Sequence, residues 1–269
     1  MSIPDIRGLS LFKGLISHSH NYRYPQTFRN KDVVILGAGA SGWDIALDMS
    51  TSASNIYLSH ENSQLKLKLP GHIKQLPSIK EIIDSETVLF RDGGIRRADA
   101  LLFCTGYKYT FPFLSPSCEV TVDTKGKRIR SLYKHIFHTN FPSLVFIGIP
   151  AIVCPFPLIS LQSRAVTAVF GGKSPLPTRE LMEADIEKEL LNRTAQGWPE
   201  RHAHRFAEKQ WDYNASIAEL AGCENLSPVV RLLYEHSWRQ RTFNTIGYRR
   251  EDFCLVDENT WCHRSDKLD

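Results

Sequence analysis

The residues best placed to do chemistry stand together: Gly37-Ala38-Gly39-Ala40-Ser41-Gly42, a G-x-G-x-x-G run between a strand-like and a helix-like stretch. Such a run suits the diphosphate of a dinucleotide. The first glycine permits a tight turn, the second has no side chain to hold the phosphates away, and the third lets the helix pack against the strand. The helix then offers unpaired N–H groups and the positive end of its dipole to the anion. All of these positions, Ala38, Ala40 and Ser41 included, are candidate cofactor contacts. Further on the chain reads Leu58-Ser59-His60-Glu61-Asn62-Ser63. A site for NAD carries an acid at the end of the second strand, whereas one for NADP needs donors or a cation there. Ser59, His60, Asn62 and Ser63 are donors, so NADP(H) is the expected cofactor; Glu61 argues for NAD.

The elements that must hold this turn are legible on either side of it. Residues 33–36 form a continuous apolar run, as in a strand buried on both faces of a parallel sheet. Residues 41–49 place Ile45 and Met49 at helical spacing, and 55–58 (NIYL) predict a second strand. Strand, glycine turn, helix and strand make a βαβ unit, so the fold class is α/β with a Rossmann-like nucleotide-binding domain. Residues 87–90 and 100–103 predict two more strands of the sheet, joined by the Asp92-Gly93-Gly94 turn. LVFIGI at 144–149 predicts a buried strand followed by an apolar, proline-rich turn. Thr178 should cap a charged amphipathic helix that ends near Gly197. Helical stretches at 201–221 and 227–240 follow, and the tail after Tyr248 is expected to be polar and irregular.

Composition removes several functions. A net charge of +4 carried by scattered Lys and Arg does not provide the cluster of cations that nucleic acid requires. The six cysteines have no metal-ligand spacing and read as free thiols of a reducing compartment. No metal is expected. Residues 141–163 carry no charge and are long enough to cross a bilayer, but Pro142, Pro150, Pro155 and Pro157 remove backbone donors that lipid cannot replace. The first residues lack the apolar core of a secretory signal, and a cytoplasmic location is expected. His202 and His204 should sit on a solvated helix face, with no third ligand at metal spacing. No nucleophile–base pair or carboxylate pair stands out.

Phe12, Gly14, His18 and Tyr22 reproduce the spacing F-x-G-x-x-x-H-x-x-x-Y, which resembles the identifying motif of the flavin-containing monooxygenases, a family that includes the plant glucosinolate S-oxygenase-like type. Phe103-Cys104-Thr105-Gly106-Tyr107 is similar to the segment at which that family's chain returns from the NADPH domain to the flavin domain. Leu161-Gln162-Ser163-Arg164 resembles a helix start near the flavin, and Gln210, Tyr213, Ala218 and Gly222 resemble the C-terminal helix pattern. The resemblance implies cofactor contacts at Thr105, Gly106, Tyr107 and Gln162, and a positioning role for His18. Without its flanking motif, His18 would read as a hydrogen-bonded loop histidine and Thr105-Gly106 as a strand-ending turn.

The resemblance divides the chain into 1–29, a linker with the motif; 30–103, the NADP-binding domain; 104–250, the C-terminal part of a second, FAD-binding-type domain; and 251–269, a polar tail. It implies an NADPH- and FAD-dependent monooxygenase that passes one oxygen atom of O2 to a soft nitrogen or sulfur of a small amine or thioether. The family's FAD-binding glycine turn and active-site asparagine would precede Phe12 and are absent from this sequence, so no catalytic residue is assigned. A competing expectation is a catalytically silent protein that binds a nicotinamide nucleotide but cannot hold FAD. An uncovered apolar face would then favour homo-oligomers or another partner.

Overall fold

Strand β2 (Asp32–Leu36) sends alternate side chains into two different cores, as the period of two along a strand requires. Val33 and Ile35 pack with Trp43, Ala46 and Met49 of helix α1 (Ala40–Met49). Val34 and Leu36 join a cluster with Ile82, Val88 and Phe90. The computed structural model describes residues 1–62 and 69–267. In it β2 lies at the centre of a five-stranded sheet ordered β1-β8-β2-β3-β4, from β1 (Leu15–His18), β3 (Asn55–Ser59), β4 (Ile73–Leu76) and β8 (Ala100–Phe103). Every neighbouring pair is parallel. Burial on both faces is what allows β2 and β8 to be apolar without alternation.

One face of this sheet carries α1. The other packs against a three-stranded antiparallel sheet of β5 (Ile79–Ile82), β6 (Thr87–Phe90) and β7 (Ile95–Arg97). This corrects the expected strand order. The Asp92-Gly93-Gly94 turn joins β6 to β7, with Phe90 N–H donating to the Gly94 carbonyl, and β6 and β8 lie in different sheets. Ile-Arg-Arg is too short and too charged to announce β7, and the next apolar run, 100–103, masks it as the apparent partner of β6.

The chain forms two compact units, Met1–Tyr107 with His236–Glu251, and Lys108–Glu235 with the residues from Asp252 onward. The second unit is built on α2 (Pro155–Phe170), α3 (Arg179–Ala195) and α4 (Gln210–Ala221), with a short ladder of β9 (Leu132–Tyr133) and β10 (Phe137–His138). Leu158, Leu161, Ala165, Met182, Tyr213 and Ile217 share its core. Thr178 is the N-cap residue of α3, and Gly222 ends α4 in the left-handed conformation that glycine tolerates.

Four expectations need correction here. Residues 144–149 form no strand: Val145 makes one isolated bridge to Phe137, and the chain turns at Gly148, φ 85°. Pro155 and Pro157 open α2, where their missing N–H groups would be unpaired anyway, so Gln162 lies inside that helix and not at its start. The helix expected from 201 begins only at Gln210. Before it Ala207 has φ 51°, and the Phe206 and Ala207 N–H groups donate to Ala151 and Ile152 carbonyls instead of to a preceding turn. Finally, α5 (Pro228–Phe243) is followed by a hairpin of β11 (Phe253–Leu255) and β12 (Trp261–His263), so the tail is ordered. No helix among the described residues is long and apolar enough to cross a membrane.

Candidate functional site

The glycine turn leaves the C-terminal end of β2 and enters α1, and each glycine is there for a different reason. Gly37 has φ 100°, and a β-carbon on it would lie 2.6 Å from the Cys104 carbonyl oxygen. A β-carbon on Gly42 would fall 1.7 Å from the Gly37 carbonyl oxygen. The turn and the close approach of α1 to the sheet therefore demand both residues. Gly39 is different. Its φ of −75° suits any residue, and a β-carbon there would meet nothing within 4 Å. The protein's own packing does not require a glycine at 39, whereas a ligand lying close against the backbone would.

Gly39 is also the N-cap of α1, and no side chain caps the helix; its first turn carries no acid. The first N–H groups of a helix have no intrahelical partner. Ala40 and Ser41, both exposed, thus present backbone donors and a positive dipole end to solvent. A dinucleotide's diphosphate fits this cradle, and Gly37, Ala38, Gly39, Ala40, Ser41 and Gly42 would hold it.

The end of β8 lies beside the turn, with Cys104 N–H donating to Leu36 O at 2.8 Å. Burial pushes the Cys104 thiol up to about 12, against a smaller opposing effect from Ser19; it is no nucleophile at neutral pH. Thr105 Oγ1 donates to the Ser2 carbonyl, and Gly106 has φ 82°. His18, 2% exposed, sets the shape of this segment. Its Nδ1 accepts from His20 N–H at 3.1 Å, so its proton sits on Nε2 and is donated to the Gly106 carbonyl at 3.2 Å. Burial lowers the His18 pKa, partly opposed by that carbonyl. The neutral imidazole holds the chain in place. The Tyr107 ring, half exposed, packs edge-on to His18 at 5.3 Å.

The other motif residues tie the same unit together. Phe12 is buried in the second core, and a β-carbon on Gly14 would lie 2.4 Å from the Asp99 carbonyl oxygen. Tyr22 donates to Asp48 Oδ2 of α1 at 2.6 Å. Phe12, Gly14, His18 and Tyr22 therefore position β8 and α1 around the turn.

At the end of β3, Ser59 is 3% exposed and its hydroxyl donates to the Pro77 carbonyl at 2.8 Å, while its own carbonyl accepts from Gly37 N–H at 2.8 Å. Its hydroxyl proton is used inside the unit. His60 Nε2 meets Gln75 Oε1 at 3.3 Å, and Glu61 and Asn62 are exposed. Ser63 lies outside the described residues. Gln162 belongs to the second unit and is 0% exposed: Oε1 accepts from Gly148 N–H at 2.8 Å and Nε2 donates to Tyr213 OH at 2.7 Å, which in turn donates to the Lys134 carbonyl. Its amide is spent within the unit's core.

Sequence reading missed two arrangements. Tyr248 and Arg249 return to α1, where Tyr248 OH donates to Asp44 Oδ1 at 3.1 Å and Arg249 pairs with the same carboxylate. In the second unit His204 is 5% exposed, not on a solvated face. Its Nε2 accepts from Ile129 N–H at 2.9 Å, so Nδ1 carries the proton and donates to His135 Nδ1 at 2.8 Å; His135 Nε2–H then reaches Glu189 Oε2 at 3.1 Å. Burial, reinforced by His135 and Arg128, drops the His204 pKa to about 3. Local pattern gives no warning of this relay, because its members come from three separate stretches of chain.

A parallel sheet whose central strand turns through three glycines into a helix with a bare N-terminus defines a Rossmann-like α/β protein. Comparison narrows the class. The family model described as Flavin-binding monooxygenase-like matches residues 2–68 and 62–237. Flavin-containing monooxygenase FMO GS-OX-like 4 of Arabidopsis thaliana is 34% identical over 262 residues, covering 96% of this chain and 56% of that protein. The structure of S-allyl-L-cysteine S-oxygenase from Allium sativum superposes with TM-score 0.85 at 33% identity, over 100% of this chain and 59% of that one. Tmm from Pelagibacter sp. strain HTCC7211 shares the fold, with TM-score 0.81 and 22% identity over 98% of this chain and 58% of its own. This chain belongs to the flavin-containing monooxygenase family. It spans somewhat over half the length of these relatives. Among its described residues there is no second strand, glycine turn and helix to cradle the ADP half of FAD, and no residue is assigned to that group.

Proposed function

We propose that this chain supplies the nicotinamide-nucleotide site of an NADPH- and FAD-dependent monooxygenase that transfers one oxygen atom from O2 to a soft sulfur or nitrogen of a small molecule. The observation that carries the reading is Gly39, a glycine that neither backbone strain nor packing explains, at the mouth of a helix whose donors are unpaired. Oxygen chemistry in such enzymes belongs to the flavin. The part left to these residues is to bind and orient the dinucleotide. The backbone of 37–42 takes the diphosphate, and the Thr105–Tyr107 segment, held by His18, borders it. The absence of an acid immediately after β3 favours NADPH over NADH. A thioether is the favoured substrate class, because the Allium relative is an S-oxygenase of S-allyl-L-cysteine.

The test is a pair of titrations of the purified chain with NADPH and NADH, together with its visible absorption spectrum. Tighter NADPH binding supports the assignment, and equal or tighter NADH binding overturns the cofactor preference. A flavin band would support oxygenation by this chain; nucleotide binding without one would favour a silent nucleotide-binding protein.

A further inference from the structure

Cys254 and Cys262 face each other as direct register partners across the β11–β12 hairpin, and both are free, partly exposed thiols. The ladder around them defines the kind of pair. Val256 N–H donates to the Thr260 carbonyl at 3.0 Å and Arg264 N–H to the Asp252 carbonyl at 2.9 Å. Bonded and non-bonded pairs alternate along an antiparallel ladder, so 254 and 262 form a bonded pair with Cα atoms about 5.5 Å apart. That is within the roughly 4.4–6.8 Å that a disulfide spans. Opposed residues project from the same face, so the two cysteine side chains are neighbours there. The other face locks the register: Phe253 packs on Trp261 at 5.1 Å and on His263 at 5.3 Å.

We propose that Cys254 and Cys262 are a modification site, a dithiol that a peroxide closes to a disulfide and a thiol reductant reopens. One thiolate attacks a peroxide oxygen of H2O2, breaking the O–O bond to give a sulfenic acid and hydroxide. The second thiolate attacks that sulfur and expels hydroxide. The thiol protons neutralise both hydroxides, so the sum is two thiols and H2O2 giving one disulfide and two waters. The pair is built to be reversible. Its β-carbons must close from the roughly 4.5–5.5 Å of a cross-strand pair to about 3.8 Å, and strained, exposed disulfides are the readily reduced ones. In a reducing compartment, disulfides of that kind act as sensors.

The closed form has a structural consequence. At the hairpin tip the Glu258 carbonyl accepts from Val229 N–H at 2.9 Å and from Ser227 Oγ at 2.6 Å. The tip thus caps the start of α5, whose first N–H groups lack intrahelical partners. Bridging 254 to 262 holds the hairpin, and with it the cap.

The experiment treats the full chain with one equivalent of H2O2, alkylates remaining thiols and digests without reductant. Residues 251–264 form one tryptic peptide that contains both cysteines. The expected product is that peptide unalkylated and lighter by two hydrogens, restored by dithiothreitol and absent from Cys254→Ser. Hydrogen exchange at the Val229 amide should slow by roughly fivefold or more on oxidation, since local opening of the tip becomes rarer, and should not change in Cys254→Ser. Sulfinic or sulfonic acid on the peptide in place of the bridge, or full alkylation of both thiols after peroxide, would overturn the site. A bridge that leaves Val229 exchange unchanged would overturn its coupling to α5.

Discussion

A methyl group placed on Gly39 would project into open space, whereas the same methyl on Gly42 would be driven to 1.7 Å from the Gly37 carbonyl oxygen. Gly39→Ala should leave the fold intact. Alanine is a poorer N-cap than glycine by about 1 kcal/mol or less, and the loss of unfolded-chain freedom offsets this by about 0.4–1 kcal/mol. The methyl would instead stand where the diphosphate approaches. Losing one hydrogen bond to a charged group removes about 1.5–3 kcal/mol, which weakens NADPH binding by about 10- to 150-fold. Gly42→Ala should do the reverse to stability. Its clash is with backbone that cannot swing aside, so a penalty of roughly 1–3 kcal/mol lowers the melting temperature by about 2–12 °C. Calorimetric titration with NADPH and thermal melts of the parent and the two variants read both quantities. The reasoning is refuted if Gly39→Ala binds NADPH within about twofold of the parent, or if it melts as low as Gly42→Ala.

Acidification should weaken the second unit through His204. Its folded pKa of about 3 lies below the ordinary 6.5, so the unfolded chain takes up a proton that the native chain refuses. This contribution to stability is whole above pH 6.5 and is lost as pH falls towards 3. Between pH 7 and pH 5 the loss is about 2 kcal/mol. Urea melts at the two pH values measure it, and an unchanged midpoint would contradict the buried relay. Gln162→Leu strands the Gly148 N–H and should cost about 1–3 kcal/mol by urea melt, with NADPH affinity unchanged. A large loss of affinity in that variant, at full folding, would restore Gln162 as a direct cofactor contact.

The parts of the fold that follow from local pattern were legible before the structure. The apolar run of β2, the glycine turn and the helical spacing of α1 are encoded by neighbours in sequence, and the Thr178 and Gly197 helix boundaries announce themselves by residue type. What stayed hidden depends on distant chain. Leu15–His18 lies beside β8 as a strand because parallel pairing satisfies its backbone, not because its four residues alternate. β7 was masked by Arg96 and Arg97, and the hairpin of the tail by a polar composition that a cross-strand aromatic cluster overrides. In the site, the turn could be read in full, and the family resemblance implied a positioning role for the motif histidine but not the group it holds. Only the fold shows that His18 spends its proton on Gly106. Ser59 illustrates the opposite error, since its type suggested a donor to phosphate while its place under Pro77 turns the hydroxyl inward.

Amide hydrogen exchange of the intact chain, with and without saturating NADPH, tests the diphosphate assignment most directly. Binding at the mouth of α1 should slow exchange at residues 39–42 and at the end of β3, with little change in α3 or α4. Protection confined to the second unit, or none at a concentration that saturates binding, would contradict it.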